Sequence, residues 1–150
     1  MKTKLSVNVN KIATLRNSRG GNYPNVCDFA ADIQEYGADG ITIHPRPDER
    51  HIRYKDAYDL KNVVTTEFNI EGNPIEKFVR MVTEIKPTQV TLVPDAIDAI
   101  TSNSGWDTIT NKSMLKEVVG EFKSHGVRVS IFLNPDIQFI DSVCEINPDR

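Results

Sequence analysis

GADGITIHPRP, residues 37–47, decides how this chain folds. Gly37 stops the amphipathic helix that the spacing predicts over Val26–Tyr36. Gly40-Ile-Thr-Ile-His44 then reads as a strand that leaves a histidine and Arg46 at its exit. Working outward, Leu5–Val9 reads as an earlier strand, joined to the helix by a Gly/Asn/Pro loop. Downstream, Lys55–Val63 reads as a helix, Thr66–Glu71 as a strand, and Pro74–Ile85 as a helix with Asn73 as its N-cap and Pro74 at its first position. Gln89–Val93 is the next strand, Asn111–His125 a long helix ended by Gly126, Val127–Leu133 a strand, and Pro135–Ile146 a helix behind an Asn134 cap. Five strand-helix units in a row predict a parallel α/β sheet with right-handed crossovers, either doubly wound or closed into a barrel.

Two observations favour the barrel. No GxGxxG follows the first strand and no GxxxxGK[ST] occurs, so the nucleotide-binding doubly wound sheets have no support. Polar groups meanwhile recur at successive strand exits: Asn8 and Asn10, His44 and Arg46, Glu71, then Pro94-Asp95. The C-terminal rim of a TIM barrel is where that fold builds its active site. Such barrels take about 250 residues and eight strands, whereas 150 residues hold five units and stop at a turn-like Asn147-Pro148-Asp149-Arg150. The expectation is therefore a single TIM (β/α)8-family domain, residues 1–150, cut short before its sixth strand.

Composition narrows the function classes. With 39% hydrophobic and 26% charged residues the chain can bury a core, and a net charge of -3 with a pI near 5.6 speaks against a nucleic-acid binder, which needs clustered Lys and Arg. Small phosphorylated ligands need only one or two placed cations or backbone donors. MKTKLSVNVNKIA lacks the apolar run of a signal peptide, and no later stretch reads as a membrane span, so a cytoplasmic address is expected. Cys27 and Cys144 stand apart with no CxxC or Cys/His cluster; both read as packing residues, with neither a disulfide framework nor a metal site.

Four stretches carry chemistry. Asn8-Val-Asn10-Lys11 through Arg19-Gly20-Gly21 reads as a polar, cationic loop after a strand, suited to a phosphate through an Arg19 fork and close backbone approach at the glycines; the plain alternative is a solvated loop. His44, at a strand end, can move protons near neutral pH, while Arg46 and His51 can hold an anion; a histidine beside two prolines can equally be structural. Glu71 faces the same mouth on barrel geometry and can serve as general acid or base, or merely complement the dipole of the helix that follows. Asp95–Asp107, with Thr101 and Trp106, reads as a lid or an insertion for which Trp106 is an anchor.

Taken together, VNVNKIATLRNSRGG, YGADGITIHPRPDERHI, NIEG and LVPDAIDAITSNSGWD resemble the pyridoxine 5'-phosphate synthase family in order and spacing over all 150 residues. That resemblance implies an eight-stranded barrel that condenses 1-deoxy-D-xylulose 5-phosphate with 3-amino-2-oxopropyl phosphate to give pyridoxine 5'-phosphate, phosphate and water, with no metal or organic cofactor. It implies His44 and Glu71 as proton acceptors, Asn8 and Arg19 as contacts to the aminooxopropyl phosphate, and Arg46, His51 and Thr101 as contacts to the deoxyxylulose phosphate. Many members have Asp-His where this chain has Asn10-Lys11, a pair placed to touch the deoxyxylulose substrate with Lys11 supplying a cation. The family's third catalytic group, a proton-donating histidine, and its second phosphate loops correspond to positions past Arg150, so the chain alone is expected to have little or no activity. Homo-oligomers built from dimers are implied, and exposed sheet edges and an apolar barrel interior would favour self-association. The alternatives are another TIM-barrel enzyme on phosphorylated sugars, which would want a Schiff-base lysine or a metal cluster at strand ends, or a non-catalytic fragment whose rim residues are relics.

Overall fold

A computed structural model describes residues 3–95, 102 and 104–150 of the chain. By internal contacts these fall into two compact units, Met1–Glu71 and Gly72–Arg150.

In the first unit β1 (Ser6–Asn8), β2 (Gly40–Ile43) and β3 (Glu67–Gly72) pair side by side, all parallel. Three helices connect them: α1 (Asn10–Arg19), α2 (Val26–Glu35) and α3 (Tyr54–Lys61). Ser6 pairs with Gly40 and Gly40 with Glu67; two residues on, Asn8 pairs with Thr42 and Thr42 with Asn69. Side chains in a strand alternate between faces, so this register collects like with like. Ile41, Ile43, Phe68 and Ile70 stand on one face and are essentially buried. The other face carries Ser6, Thr42 and Asn69, tied by a 2.8 Å Ser6–Thr42 hydroxyl contact and a 3.3 Å bond from the Asn69 amide to the Thr42 hydroxyl. The second face is therefore polar.

α1 is the main correction to the sequence reading: residues 10–19 form a helix, not a phosphate loop. Asn8 starts it by accepting a 2.9 Å hydrogen bond from the Asn10 amide, and Gly20 ends it at a left-handed φ of 72°. α2 is capped by Asn25, whose side chain accepts from the amides of Cys27 and Asp28, and the chain turns out of it at Gly37 with φ 96°.

In the second unit β4 (Gln89–Leu92) and β5 (Arg128–Ile131) pair in parallel, with α4 (Glu76–Ile85), α5 (Lys112–Ser124) and α6 (Ile140–Ile146) around them. The alternation recurs. Val90, Leu92, Val129 and Ile131 lie on one face, while Gln89 and Thr91 oppose Arg128 and Ser130 on the other. Arg128 donates to Gln89 at 2.9 Å. Two caps expected here fail. Asn73 sends its amide to the Asp95 carbonyl instead of capping, and α4 begins at Glu76 after a turn through Ile75. Asn134 spends its side-chain oxygen on the Gly105 amide, so the next turn is a short 3-10 stretch, Ile137–Phe139, capped by Asp136, and α6 starts only at Ile140. Trp106 anchors its segment as expected, buried and donating its backbone N–H to the Phe132 carbonyl at 2.8 Å.

Candidate active site

The last paired positions of β2 and β3 are Ile43 and Ile70. One residue further, His44 just past the end of β2 and Glu71 in the last two residues of β3 stand at the same level and, by the period of two, on the polar face with Thr42 and Asn69. His44 is 6% exposed and Glu71 half-buried. Asn10, the first residue of α1, completes the level from the β1 side: its side-chain oxygen accepts the His44 backbone N–H at 2.9 Å. Asn8, Asn10, His44 and Glu71 thus come together at one end of the unit.

The loop after β2 brings the cations. Arg46 is buried, 4% exposed, and Glu49 holds the turn by adopting a left-handed φ of 53° and accepting the Tyr54 backbone N–H at 2.7 Å. His51 lies with its ring centroid 6.2 Å from that of His44, the two planes tilted by 58°. The Ile52 backbone N–H donates to His51 Nδ1 at 2.9 Å, so Nδ1 is the lone-pair nitrogen and a neutral ring carries its proton on Nε2. Burial holds the His51 imidazole below the usual histidine range, and Arg46, Arg50 and Lys11 push it further down against the opposing charge of Asp48. Near pH 7 His51 is a neutral Nε2–H donor in a cationic setting, which suits an anionic oxygen.

Lys11 and Arg19 are exposed on α1, and neither makes an ion pair with another described residue. Lys11 is close enough for its charge to bear on His51. Arg19 sits in the last turn of α1, beside the Gly20 cap. Thr101 lies outside the described residues. Among the described residues no three His, Cys, Asp or Glu side chains group as metal ligands, and no helix is long and apolar enough to cross a membrane. Cys27 and Cys144 are both free thiols. Cys27 is half-buried, and burial ahead of Asp59 and Asp56 raises its pKa; Cys144 is exposed, not the packing residue expected.

Beneath this site lies a network that sequence reasoning missed. Arg16 is 1% exposed and grips Asp56 with both terminal nitrogens, at 2.7 and 2.8 Å. Its neighbour Asn17 accepts from Arg16 and Arg53 and donates to the carbonyls of Arg50 and His51. Forty positions separate Arg16 from Asp56, and no spacing rule links them. The only trace in the sequence is that Arg16 falls three residues after buried Ala13, on the inward side of α1.

Comparison with known proteins places these residues in context. A family model described as Pyridoxal phosphate biosynthesis protein PdxJ matches residues 5–150. The pyridoxine 5'-phosphate synthase of Flavobacterium johnsoniae is 64% identical over 148 residues, that of Cytophaga hutchinsonii 61%, and that of Parabacteroides distasonis 58%. Each alignment takes in 99% of this chain and 62% of the relative's own length.

Proposed function

This chain belongs to the Pyridoxal phosphate biosynthesis protein PdxJ family, and we propose that it supplies the first part of a pyridoxine 5'-phosphate synthase. In this reading its five strand-helix units belong to a (β/α)8 barrel that condenses 1-deoxy-D-xylulose 5-phosphate with 3-amino-2-oxopropyl phosphate. The observation that carries the reading is the level formed by Asn10, His44 and Glu71 one step beyond the Ile43/Ile70 pair, flanked by Arg46 and a neutral His51.

The chemistry asked of such a site is repeated proton transfer. Imine formation between amine and ketone, loss of phosphate, addition and loss of water, and ring closure each need a proton taken from or given to the substrate at a fixed face. His44 and Glu71 act as the proton-transfer groups, two titratable side chains of different kind on one rim. Arg46 and the Nε2–H of His51, with Thr101, hold the deoxyxylulose phosphate, and Asn10-Lys11 stand against the same substrate. Asn8 and Arg19 take the aminooxopropyl phosphate. No metal or organic cofactor enters. Phosphorylated substrates of this charge do not cross membranes unaided, so the place of work is the cytoplasm, and the working form is a homo-oligomer.

The relatives are longer than the matched part, so the test joins residues 1–150 to the portion of the Flavobacterium johnsoniae synthase that the match leaves out. Mass spectrometry should detect pyridoxine 5'-phosphate from the two purified substrates, and His44→Ala should lower the rate by about 100-fold to 10,000-fold, the usual worth of a general base. The 150-residue chain alone should form little or none. A folded chimaera with no product would overturn the reading, and one indifferent to His44→Ala would remove His44 from the chemistry.

A further inference from the structure

α1 touches both histidines of the site through their backbones. At its first residue Asn10 accepts the His44 N–H at 2.9 Å; two turns on, Arg16 donates to the His51 carbonyl at 3.1 Å, and Asn17 donates to the same carbonyl at 2.8 Å and to that of Arg50 at 3.2 Å. Arg16 is itself fixed by the two-pronged bond to Asp56, and Asp56 also accepts the Arg53 backbone N–H at 2.7 Å, which locks the first turn of α3 to the same point. The turn 50–53 is thus held from three sides by groups that are buried or half-buried. His51 is the one residue of that turn whose ring faces His44, and its Nδ1 is committed to the next amide in the turn.

We infer that the buried Arg16–Asp56 pair, relayed by Asn17, is a positioning device that fixes the tautomer and place of the His51 ring relative to His44. The pair makes no hydrogen bond to the rings themselves. It acts by holding the peptide on either side of His51, so that the Ile52 N–H stays aimed at Nδ1 and the remaining N–H at Nε2 stays available. A lysine at position 16 would keep the charge and lose the fork, and with it the simultaneous hold on Asp56 and on the His51 carbonyl. The charged groups around His51 are Lys11 and Arg16 on α1, Asp56 on α3, and Arg46, Asp48, Arg50 and Arg53 on its own loop, with the His44 ring opposite. Arg16→Lys and Asn17→Ala leave all of these charges in place; Arg16→Gln removes one, so its midpoint is read against that of Arg16→Lys. The inference rests on the synthase reading only for what His51 does with its proton, not for how the ring is held.

The chain has three histidines, His44, His51 and His125, so imidazole nitrogen signals in 15N-labelled protein can be followed singly across pH. In the unaltered chain His51 should show two widely separated nitrogen shifts, the signature of one tautomer with the proton on Nε2. Arg16→Gln and Arg16→Lys should both collapse that separation toward the tautomer average and raise the His51 titration midpoint. Asn17→Ala, which removes the amide's hold on the two carbonyls while leaving the Arg16–Asp56 fork, should do the same in part. His125, at the end of α5 in the other unit, should not move, whereas general loosening of the protein would move it too. If Arg16→Gln does not fold, Asn17→Ala carries the test. A folded variant of either kind in which His51 keeps its separated shifts and its midpoint overturns the inference. The readout needs no substrate, so it can fail while the synthase chimaera works, or succeed while the chimaera is silent.

Discussion

Gly40 shows what one residue contributes to the site. A Cβ built on it would lie 2.9 Å from the Glu67 backbone oxygen and 3.1 Å from the Glu67 Cβ, with the Ser6 hydroxyl at 3.2 Å. The nearest atom is strand backbone, held in the β2/β3 ladder, and cannot swing aside as a side-chain tip could. Glycine is therefore required for close approach at the start of the strand that delivers His44, although its φ is ordinary. Gly40→Ala should destabilise the protein by about 1–3 kcal/mol, the range for overpacking a tight site, and lower the urea midpoint accordingly. An unchanged midpoint would mean β2 and β3 can separate locally without cost. Arg16 belongs to the same scale. Removing one partner of a buried, hydrogen-bonded ion pair typically costs about 3–5 kcal/mol, which is why the milder Asn17→Ala is needed beside it.

At the scale of elements, strands and most helices were legible because their apolar residues repeat with the expected periods, as over Val26–Tyr36 and Gly40–His44. α1 was not legible. Its buried positions are Ala13 and Arg16, so the inward stripe that should have announced a helix contains a small residue and a cation, while Leu15 is 55% exposed. A polar residue on the inner face makes sense only when its partner is known, and Asp56 arrives from another helix. The Asn73 and Asn134 caps failed for a related reason: each side chain found a distant backbone group, Asp95 and Gly105 respectively, that outcompeted the local amide. Asn25 had no such competitor and caps α2 at 2.8 and 3.4 Å. Asn25→Ala should cost about 1 kcal/mol, the usual worth of an N-cap, read as a fall in thermal midpoint; a neutral result would show that packing alone holds the helix start. Of the site itself, the strand-end residues His44 and Glu71 could be placed from sequence, whereas the Arg16 network that fastens the His51 turn could not.

The whole molecule answers to pH through groups in both units, and the directions can be worked out. His51 binds its proton less readily when folded than when unfolded. Below the ordinary histidine value of about 6.5, the unfolded chain takes up more protons, so stability is full above that pH and falls as the pH drops through it toward the folded value. Asp149 is different. The Val129 N–H and then Lys123 hold its carboxyl below the usual aspartate range, so its contribution persists above that range and is lost only as the pH falls through the lower folded value. Urea midpoints should therefore decline in two separate steps on acidification. His51→Asn, whose side-chain oxygen can still accept from Ile52, should flatten the upper step and leave the lower; a slope near pH 6 that survives the substitution would assign it to other groups.

The alternation that sorts each paired level of β1, β2 and β3 onto one face also acts as a parity check on inheritance. Substituting Ile41 or Ile43 changes one side chain and leaves the frame intact. Deleting a single residue between Gly40 and His44 would turn every later side chain over, sending His44 toward the oily side and bringing Pro45 to the mouth, with no graded intermediate. Genes for this unit can thus drift letter by letter, but their strands cannot lengthen or shorten by odd steps without silencing the histidine they deliver.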